Sequence, residues 1–485
     1  MNSESEDITV SIWKHSIPVL YILVFIGAIF RLYNLGYNSL WLDEAATLSL
    51  SSGTFEQIWS NMAVGDFNPP LFQILEHFMI MVGTTEIALR LLPAIFGIAA
   101  IPIMYLVGKE FKDKYIGIIL AGLTAFSPFL ITYSQEARAY SMIFFLGACM
   151  VLLFLRAMKV NKQTEWFMFA VVSAIAFWTH FYSVVLFIPL IIFAVYKFRF
   201  DWRPIVYSVV AWVALALPLL FALYNLVIMR ASSVPTYGYQ GLNIVNQTFI
   251  EMFWSSTIAL VFATVLFIVG LWWTFKSDKE MAAFLVFVPI TAFITSVFLS
   301  STMPMLPRYL IFVNIFVFLG VAMAYPALMA FFRVAASENL QKNLKNDTVV
   351  KIISFGIIGC FLFAALPFYS NYYQNYTKED WRGMAKELTN STEPNNVIVV
   401  IPKYVRMPLD YYYSSNLDRT LEIGANTVEE LDSVKTAAQS DNFTVIYIIT
   451  PDILAVDPTG NVLNWLAANT TEVGKTSGIA VRLGV

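Results

Sequence analysis

The stretch Trp166–Tyr196 reads WFMFAVVSAIAFWTHFYSVVLFIPLIIFAVY and contains no Asp, Glu, Lys or Arg. One helix needs only about 20 apolar residues to cross the hydrocarbon core of a bilayer. This run is therefore too long for a single crossing and too apolar for a soluble domain. It predicts two membrane-spanning helices that meet at a tight turn at Thr179–His180.

The composition of the whole chain agrees with this segment. Of 485 residues, 58% are hydrophobic and 13% are charged, and the mean hydropathy is +0.67. An ordinary soluble domain is about 45–50% apolar and about 25% charged. A soluble enzyme and a disordered scaffold are excluded. The formal net charge of −3 provides no general attraction for polyanions, so we expect the lipid bilayer and not a nucleic acid as a partner.

Apolar runs of similar length recur along the chain and predict about eleven transmembrane helices. They are Ile17–Leu35, Ala88–Gly108, Tyr115–Tyr133, Tyr140–Leu155, Trp166–Thr179, Phe181–Tyr196, Pro204–Ile228, Ser255–Phe275, Met281–Ser300, Tyr309–Phe332 and Val349–Phe368. The expected fold class is an all-α polytopic membrane protein with an additional domain at its C-terminus.

The charges of the connecting loops predict the orientation. Loops on one side carry 16 Lys and Arg residues, whereas the opposite ends and loops carry five. Basic residues stay on the cytoplasmic side of short loops. We therefore expect a multi-pass cell-membrane protein with a cytoplasmic N-terminus, and an odd number of spans then places the C-terminal part outside.

Two parts of the chain are expected outside the bilayer: a long outer loop at 36–87 and the segment 369–485. The loop belongs to the predicted transmembrane domain, residues 1–368. Residues 369–485 form the second domain. In it, the buried-strand patterns Val397–Ile401 and Val445–Ile449 alternate with helical patterns, which is typical of a small extracytoplasmic α/β domain.

Polar residues collect at the outer ends of several predicted spans. They are Asp43, Glu44, Asp66, Asn68, Arg90, Gln135, Glu136, Arg138, Tyr140, His180, Arg308 and Tyr309. Ionisable residues at membrane level usually face a water-filled cavity and mark a functional site, although a single Arg can also reach to the lipid headgroups. Arginines can hold a phosphate, and a carboxylate can remove a proton from a hydroxyl. This pattern favours group transfer from a lipid-linked phosphate.

Six short motifs, in order, resemble those of the GT-C membrane glycosyltransferases, specifically the protein-O-mannosyltransferase and aminoarabinose-transferase-like branch. They are LWLDEA at Leu40–Ala45, NPPL at Asn68–Leu71, ALRLLPA at Ala88–Ala94, YSQEARAY at Tyr133–Tyr140, PRYL at Pro307–Leu310 and DWRG at Asp380–Gly383. Each motif alone is short, but their order, spacing and topology agree with that superfamily.

The resemblance implies an inverting glycosyltransferase that moves mannose or another hexose from a polyprenyl- or dolichyl-phosphate donor to a protein or glycan acceptor. It implies Asp43 as the general base, with Glu44 beside it. Residues implied for holding the donor phosphate or sugar are Asn68, Arg90, Arg138, Tyr140, Arg308 and Tyr309.

Several alternatives stay open at this point. Structural ion pairs would explain Arg90 and Arg138 equally well, and Tyr140 could anchor at the membrane interface. No cofactor is certain, but a divalent metal ion held by Asp43, Glu136 and His180 is an alternative. We interpret Glu76–His77 as exposed polar residues of a helix, because adjacent residues do not share a helix face. The competing function is a transporter or flippase for a lipid-linked or anionic substrate, for which an inverted repeat is expected.

Overall fold

A computed structural model describes most of the chain. The described residues are 9–12, 15–64, 68–198, 201–230, 237–335, 347–391, 396–413 and 421–484. Asp66 and several basic residues used for the orientation, such as Lys14 and Lys342, lie outside these ranges. By its internal contacts the chain divides into two compact units.

The first unit comprises Met1–Tyr33, Thr54–Phe78 and Arg90–Ser370 and is helical apart from a short hairpin. The hairpin strands are β1 Thr9–Ile12 and β2 His15–Pro18. The helices up to the middle of the chain are α1 Val19–Leu32, α2 Leu42–Ser51 (a part of the second unit), α3 Phe55–Val64, α4 Leu71–Ile80, α5 Glu86–Phe111, α6 Lys114–Phe126, α7 Pro128–Ser134, α8 Tyr140–Val160 and α9 Gln163–Thr179. They continue with α10 Val184–Lys197, α11 Arg203–Arg230, α12 Asn243–Met252, α13 Thr257–Ser277, α14 Lys279–Leu299, α15 Val313–Ala322, α16 Ala324–Ala335 and α17 Asp347–Gln374.

The helices identify a multi-pass membrane protein. Within the described residues, six are long and apolar enough to cross a membrane, and the pair α6–α7 counts as a seventh if it forms one broken span. Each of the eleven apolar runs coincides with a helix or with two consecutive helices. The run at Trp166–Tyr196 divides at the expected place, because α9 ends at Thr179 and a 3₁₀ turn, Phe181–Ser183, precedes α10.

The break between α6 and α7 is encoded locally. Ser127 has an extended backbone, and its hydroxyl accepts the Leu130 N–H at 3.4 Å as an N-cap. Pro128 then occupies the first position of α7, where a missing N–H costs little. The two helices are bent by 58° relative to each other. The bend directs α7 into the loop that carries Gln135, Glu136 and Arg138.

Two glycines let α13 and α15 approach closely. A Cβ atom built on Gly270 would lie 1.9 Å from the carbonyl oxygen of Gly320, a distance that no real Cβ tolerates. Small residues at such crossings allow the backbones of transmembrane helices to pack against each other. The close contact therefore depends on glycine at position 270.

We expect Gly270→Ala to destabilise the protein by about 1–3 kcal/mol, the usual cost of overpacking, because the clash is with backbone. The matched control is Gly359→Ala in α17, where an added Cβ would meet nothing within 4 Å. Heating the two purified variants in detergent and following the loss of monodisperse protein checks this. Equal midpoints for the two variants would contradict it.

The second unit comprises Asn34–Gly53, Met79–Leu89 and Asn371–Val485 and is built on a sheet. Its strands are β3 Asn396–Ile401, β4 Leu421–Gly424, β5 Thr444–Ile449, β6 Thr471–Thr476 and β7 Ile479–Gly484, in the order β4-β3-β5-β7-β6. β3 pairs in parallel with β4 and β5, whereas β7 is antiparallel to β5 and β6. Its other helices are α18 Trp381–Ser391, α19 Arg406–Tyr413, α20 Val428–Asp441, α21 Ile453–Val456 and α22 Asn461–Asn469.

The central strands β3 and β5 are buried on both faces, as their continuous apolar sequences predict. On one face Ile398 and Ile448 pack with Trp381 of α18 and Leu409 of α19. The other face packs against side chains of α20 and α22. The α/β domain predicted for the C-terminal part is therefore present, and residues from the predicted outer loop join the same compact unit.

Candidate functional site

Asp43 lies in the first turn of α2. The helix starts there because Trp41 is extended (φ −96°, ψ 176°) and its carbonyl accepts the N–H groups of Glu44 and Ala45, both at 3.0 Å. Thr47 donates its hydroxyl to the Asp43 carbonyl at 2.9 Å. A carboxylate in the first turn of a helix is favoured by the helix dipole. Asp43 is partly exposed, whereas the neighbouring Glu44 is fully buried.

Further carboxylates of the second unit lie near Asp43. Burial raises the pKa of Asp452, and the charge of Asp43 raises it further. Burial also raises the pKa of Glu379, to which the charges of Asp452 and Asp43 contribute. The ammonium of Lys378 lies 4.1 Å from the centroid of the Trp41 ring, a cation–π contact at the start of α2. Asp43 therefore lies within electrostatic range of the carboxylates of Glu379 and Asp452.

In the first unit, Gln135 fixes the loop between α7 and α8. Its side-chain amide donates to the carbonyls of Phe30, Arg31 and Tyr33 at 3.2, 3.1 and 2.9 Å, at the C-terminal end of α1. The last carbonyls of a helix cannot all be satisfied within that helix. Gln135 therefore satisfies the end of α1 and holds the chain segment that leads to Arg138 and Tyr140.

Two arginines meet a group of aromatic rings beside this loop. We call this set the aromatic–arginine cluster; its members are Arg138, Tyr140, His180, Tyr182, Arg308 and Tyr309. The Arg308 Nε donates to the Tyr140 hydroxyl at 3.0 Å. The guanidinium carbons of Arg308 and Arg138 lie 5.4 and 5.9 Å from the centroid of the Tyr140 ring. Tyr140 is 1% exposed, so its ring is buried inside the unit.

The remaining rings of the cluster contact Tyr309, and Tyr182 is stacked on it. The Tyr182 ring lies 4.9 Å from it at an interplanar angle of 18°, and the His180 ring lies 5.1 Å from it. The Tyr182 hydroxyl donates to the Pro304 carbonyl at 2.9 Å. The Tyr182 N–H donates to His180 Nδ1 at 3.3 Å, so the ring proton of a neutral His180 sits on Nε2. His180 caps the turn after α9 and lines the cluster at the same time.

Three residues of this region, Tyr133, Glu251 and Tyr182, were not predicted as site residues from the sequence. Tyr133, a neighbour of Tyr140 with ring centroids 5.3 Å apart, donates its hydroxyl to Glu251 of α12 at 3.2 Å. Glu251 stands alone in an apolar stretch, and an isolated acid at membrane level was the available signal. Tyr182 gave no signal, because tyrosine is common in the apolar runs.

The other candidate residues occupy varied surroundings. Arg90 and Glu136 are buried, and Asn68 is partly exposed just before α4. The exposed position expected for Glu76 is wrong, since its side chain is fully buried in α4. The sequence places Glu76 and His77 on a helix where adjacent residues do not share a face. That pattern does not tell which face is buried, and α4 buries the side that carries Phe72 and Glu76.

Not every predicted site residue belongs to one compact unit. Arg138, Tyr140, His180, Arg308 and Tyr309 come together within the first unit, whereas Asp43 and Glu44 belong to the second. In the part of the chain that the structure describes, no three His, Cys, Asp or Glu side chains are arranged to hold a metal ion. The metal set of Asp43, Glu136 and His180 draws on both units and stays a prediction, and we derive no step through a metal.

Residues 68–228 match a protein-family model described as dolichyl-phosphate-mannose-protein mannosyltransferase. This segment contains Asn68, Arg90, Glu136, Arg138, Tyr140 and His180. No curated protein matches the whole sequence closely enough to count as a relative.

Solved structures share the fold across nearly the whole chain. ArnT from Cupriavidus metallidurans in the apo state superimposes with a TM-score of 0.60 at 12% identity, over 96% of this chain and 98% of that one. The same protein bound to undecaprenyl phosphate gives 0.55 with the same identity and coverage. The oligosaccharyltransferase AglB from Archaeoglobus fulgidus, in complex with an inhibitory peptide and a dolichol-phosphate, gives 0.55 at 11% identity, over 96% and 74%.

Proposed function

We propose that the chain is a membrane glycosyltransferase of the GT-C superfamily. It moves a hexose, with mannose as the first candidate, from a polyprenyl or dolichyl phosphate to an acceptor hydroxyl. The observation that carries this proposal is the aromatic–arginine cluster inside a membrane-spanning unit. Supporting it are the neighbours whose structures contain undecaprenyl phosphate or dolichol-phosphate, and the mannose donor in the description of the family model.

The cluster suits the donor phosphate. A guanidinium offers a planar set of N–H donors that matches phosphate oxygens and keeps its charge at any working pH. Stacking against the Tyr140 ring and the bond to its hydroxyl hold the Arg308 guanidinium in one orientation. Arg308, together with Arg138, then stabilises the negative charge that grows on the phosphate oxygen as the sugar leaves.

Asp43 supplies the second function, that of general base. Its carboxylate accepts the proton of the acceptor hydroxyl while the hydroxyl oxygen bonds to the anomeric carbon of the sugar. The bond between this carbon and the phosphate oxygen breaks in the same step, and its electron pair leaves with the polyprenyl phosphate. Attack opposite the leaving phosphate inverts the configuration of the anomeric carbon.

The loop charges support a reaction at the outer face of the membrane, with the N-terminus in the cytoplasm. The orientation can be tested in intact cells with a variant of the protein in which the two native cysteines, Cys149 and Cys360, are replaced. A cysteine introduced at the exposed Ser440 of this variant should react with a membrane-impermeant maleimide added outside. A cysteine at the exposed Lys112 should not react. The opposite labelling pattern would reverse the orientation.

The function is tested with the purified full-length protein in detergent. Labelled polyprenyl-phosphate mannose and polyprenyl-phosphate glucose are supplied in parallel with a mixed protein and glycan acceptor extract, with and without EDTA. Transfer of label to an acceptor supports the proposal and identifies the sugar. Loss of transfer in EDTA would indicate that the reaction requires a divalent metal ion. If no donor is used, while the reconstituted protein moves the lipid donor between leaflets, a flippase replaces the transferase.

A further inference from the structure

Glu86 of the second unit binds two side chains through one carboxylate oxygen. The Arg382 guanidinium donates to Glu86 Oε1 from Nη2 at 2.6 Å and from Nε at 3.2 Å. The Tyr412 hydroxyl donates to the same oxygen at 2.6 Å. The Glu86 side chain is largely buried, with 15% of it exposed. This places three residues from distant parts of the chain in one charge-assisted hydrogen-bond network, which we call the Glu86 clamp.

The clamp also holds the backbone that leads to α2. The Tyr412 hydroxyl accepts the Leu40 N–H at 2.8 Å, and Arg382 Nη2 donates to the Gly36 carbonyl at 3.0 Å. The Ser39 hydroxyl accepts the Arg382 N–H at 3.1 Å and donates to the Asp380 carboxylate at 3.3 Å. Segment 36–40 is thus bound at three points, Gly36, Ser39 and Leu40, shortly before Asp43.

Tyr412 is the element that joins the two halves of the network. Burial, together with the hydrogen bond to Glu86, raises the pKa of Tyr412 well above its usual value. The phenol therefore stays protonated and donates to Glu86 while it accepts from Leu40. The hydroxyl of its neighbour Tyr411 donates to the Thr84 carbonyl at 2.7 Å, a group outside the clamp.

Apolar packing completes the attachment of α2. Leu42, between the clamped segment and Asp43, packs against the core formed by Trp381, Leu409 and Tyr413. Leu42 and Leu40 therefore fix the chain on both sides of Trp41. Since α2 starts at Leu42, the direction of its first turn follows from these two attachments.

We propose that Glu86, Arg382 and Tyr412 are positioning residues that hold the first turn of α2 in the orientation in which Asp43 removes the acceptor proton. This inference rests on the proposed function. It also gives a role to the DWRG motif, since the proposed donor and acceptor chemistry does not use this motif. A misplacement of about 1 Å at a reacting group can slow a reaction about 100-fold.

The test compares Tyr412→Phe with the matched control Tyr411→Phe in the full-length protein. We expect Tyr412→Phe to lower kcat about 10- to 100-fold while the KM for the lipid donor stays within twofold, because the donor contacts lie in the first unit. The thermal midpoint of the two variants is expected to agree within a few degrees. A general loss of structure would lower the thermal midpoint, whereas misplacement of Asp43 alone would not. The midpoint therefore distinguishes these two causes of a lower kcat.

Hydrogen exchange gives a second measurement that needs no substrate. Peptides covering residues 36–44 are expected to exchange at least tenfold faster in Tyr412→Phe than in Tyr411→Phe. An unchanged kcat, a change confined to KM, or unchanged exchange would overturn the positioning role. If the unmodified protein uses no donor, the proposed function fails separately, and the exchange rates decide whether Tyr412 holds this segment.

Discussion

Replacing Asp43 with asparagine is expected to lower kcat by about 100- to 10,000-fold, the range that general-base catalysis contributes. The amide has nearly the same shape as the carboxylate but cannot take the acceptor proton. The KM for the lipid donor is expected to stay within twofold, because donor binding is assigned to the aromatic–arginine cluster. Turnover of a labelled polyprenyl-phosphate sugar at saturating acceptor measures both quantities.

The control for Asp43→Asn is Asp441→Asn, which makes the same chemical change at an exposed carboxylate at the end of α20. We expect Asp441→Asn to have the activity of the unmodified protein. Full activity of Asp43→Asn would show that another group accepts the proton. The partly buried carboxylates of Glu379 and Asp452 would then be the next candidates, since both lie in the electrostatic range of Asp43.

Replacing Arg308 with alanine is expected to lower kcat/KM for the lipid donor about 10- to 150-fold. This corresponds to about 1.5–3 kcal/mol for a hydrogen bond to a charged group. Arg308→Lys should recover only part of the loss, because the lysine retains the charge but not the fork of donors. Tyr140→Phe, which removes the hydroxyl that Arg308 Nε contacts, is expected to cause a smaller loss of the same kind.

The control for Arg308→Ala is Arg156→Ala, which removes a half-exposed arginine 3.5 Å from Glu110. Exposed ion pairs contribute about 0–1 kcal/mol, so this variant should keep its donor kinetics. Competition by undecaprenyl phosphate provides an independent readout, with weaker inhibition expected for Arg308→Ala. If the Arg308 variant is inhibited as strongly as the unmodified protein, the guanidinium does not bind the donor phosphate.

The apolar runs predicted the helices well because burial in lipid leaves little choice. A backbone in hydrocarbon must satisfy its own hydrogen bonds, so each long apolar run becomes helix. In the C-terminal part, residues 371–485, apolar runs predicted the strands only where these are central in the sheet. β3 and β5 were predicted from continuous apolar residues, but β6 (TEVGKT) is a polar edge strand with a glycine, and its exposed side chains give no periodic signal.

The candidate site was predictable where residues lie close in the sequence. The loop of Gln135 and Arg138 and the pair Arg308–Tyr309 were found because several unusual residues stand together. The Glu86 clamp was not, because Glu86 lies about 300 residues before Arg382 and Tyr412 and each of the three resembles an ordinary surface residue. Only the folded chain shows that Arg382 and Tyr412 share one carboxylate.

The discontinuity of the second unit limits how this chain can recombine with its relatives. A chimera that exchanges only Asn371–Val485 would take Arg382 and Tyr412 from one parent and Glu86 and Leu40 from the other. Asn371–Val485 is therefore not an interchangeable module, although it is a separate stretch of sequence that follows the last membrane helix. A functional exchange has to carry Asn34–Gly53 and Met79–Leu89 with it, and substitutions in the three segments should be inherited together.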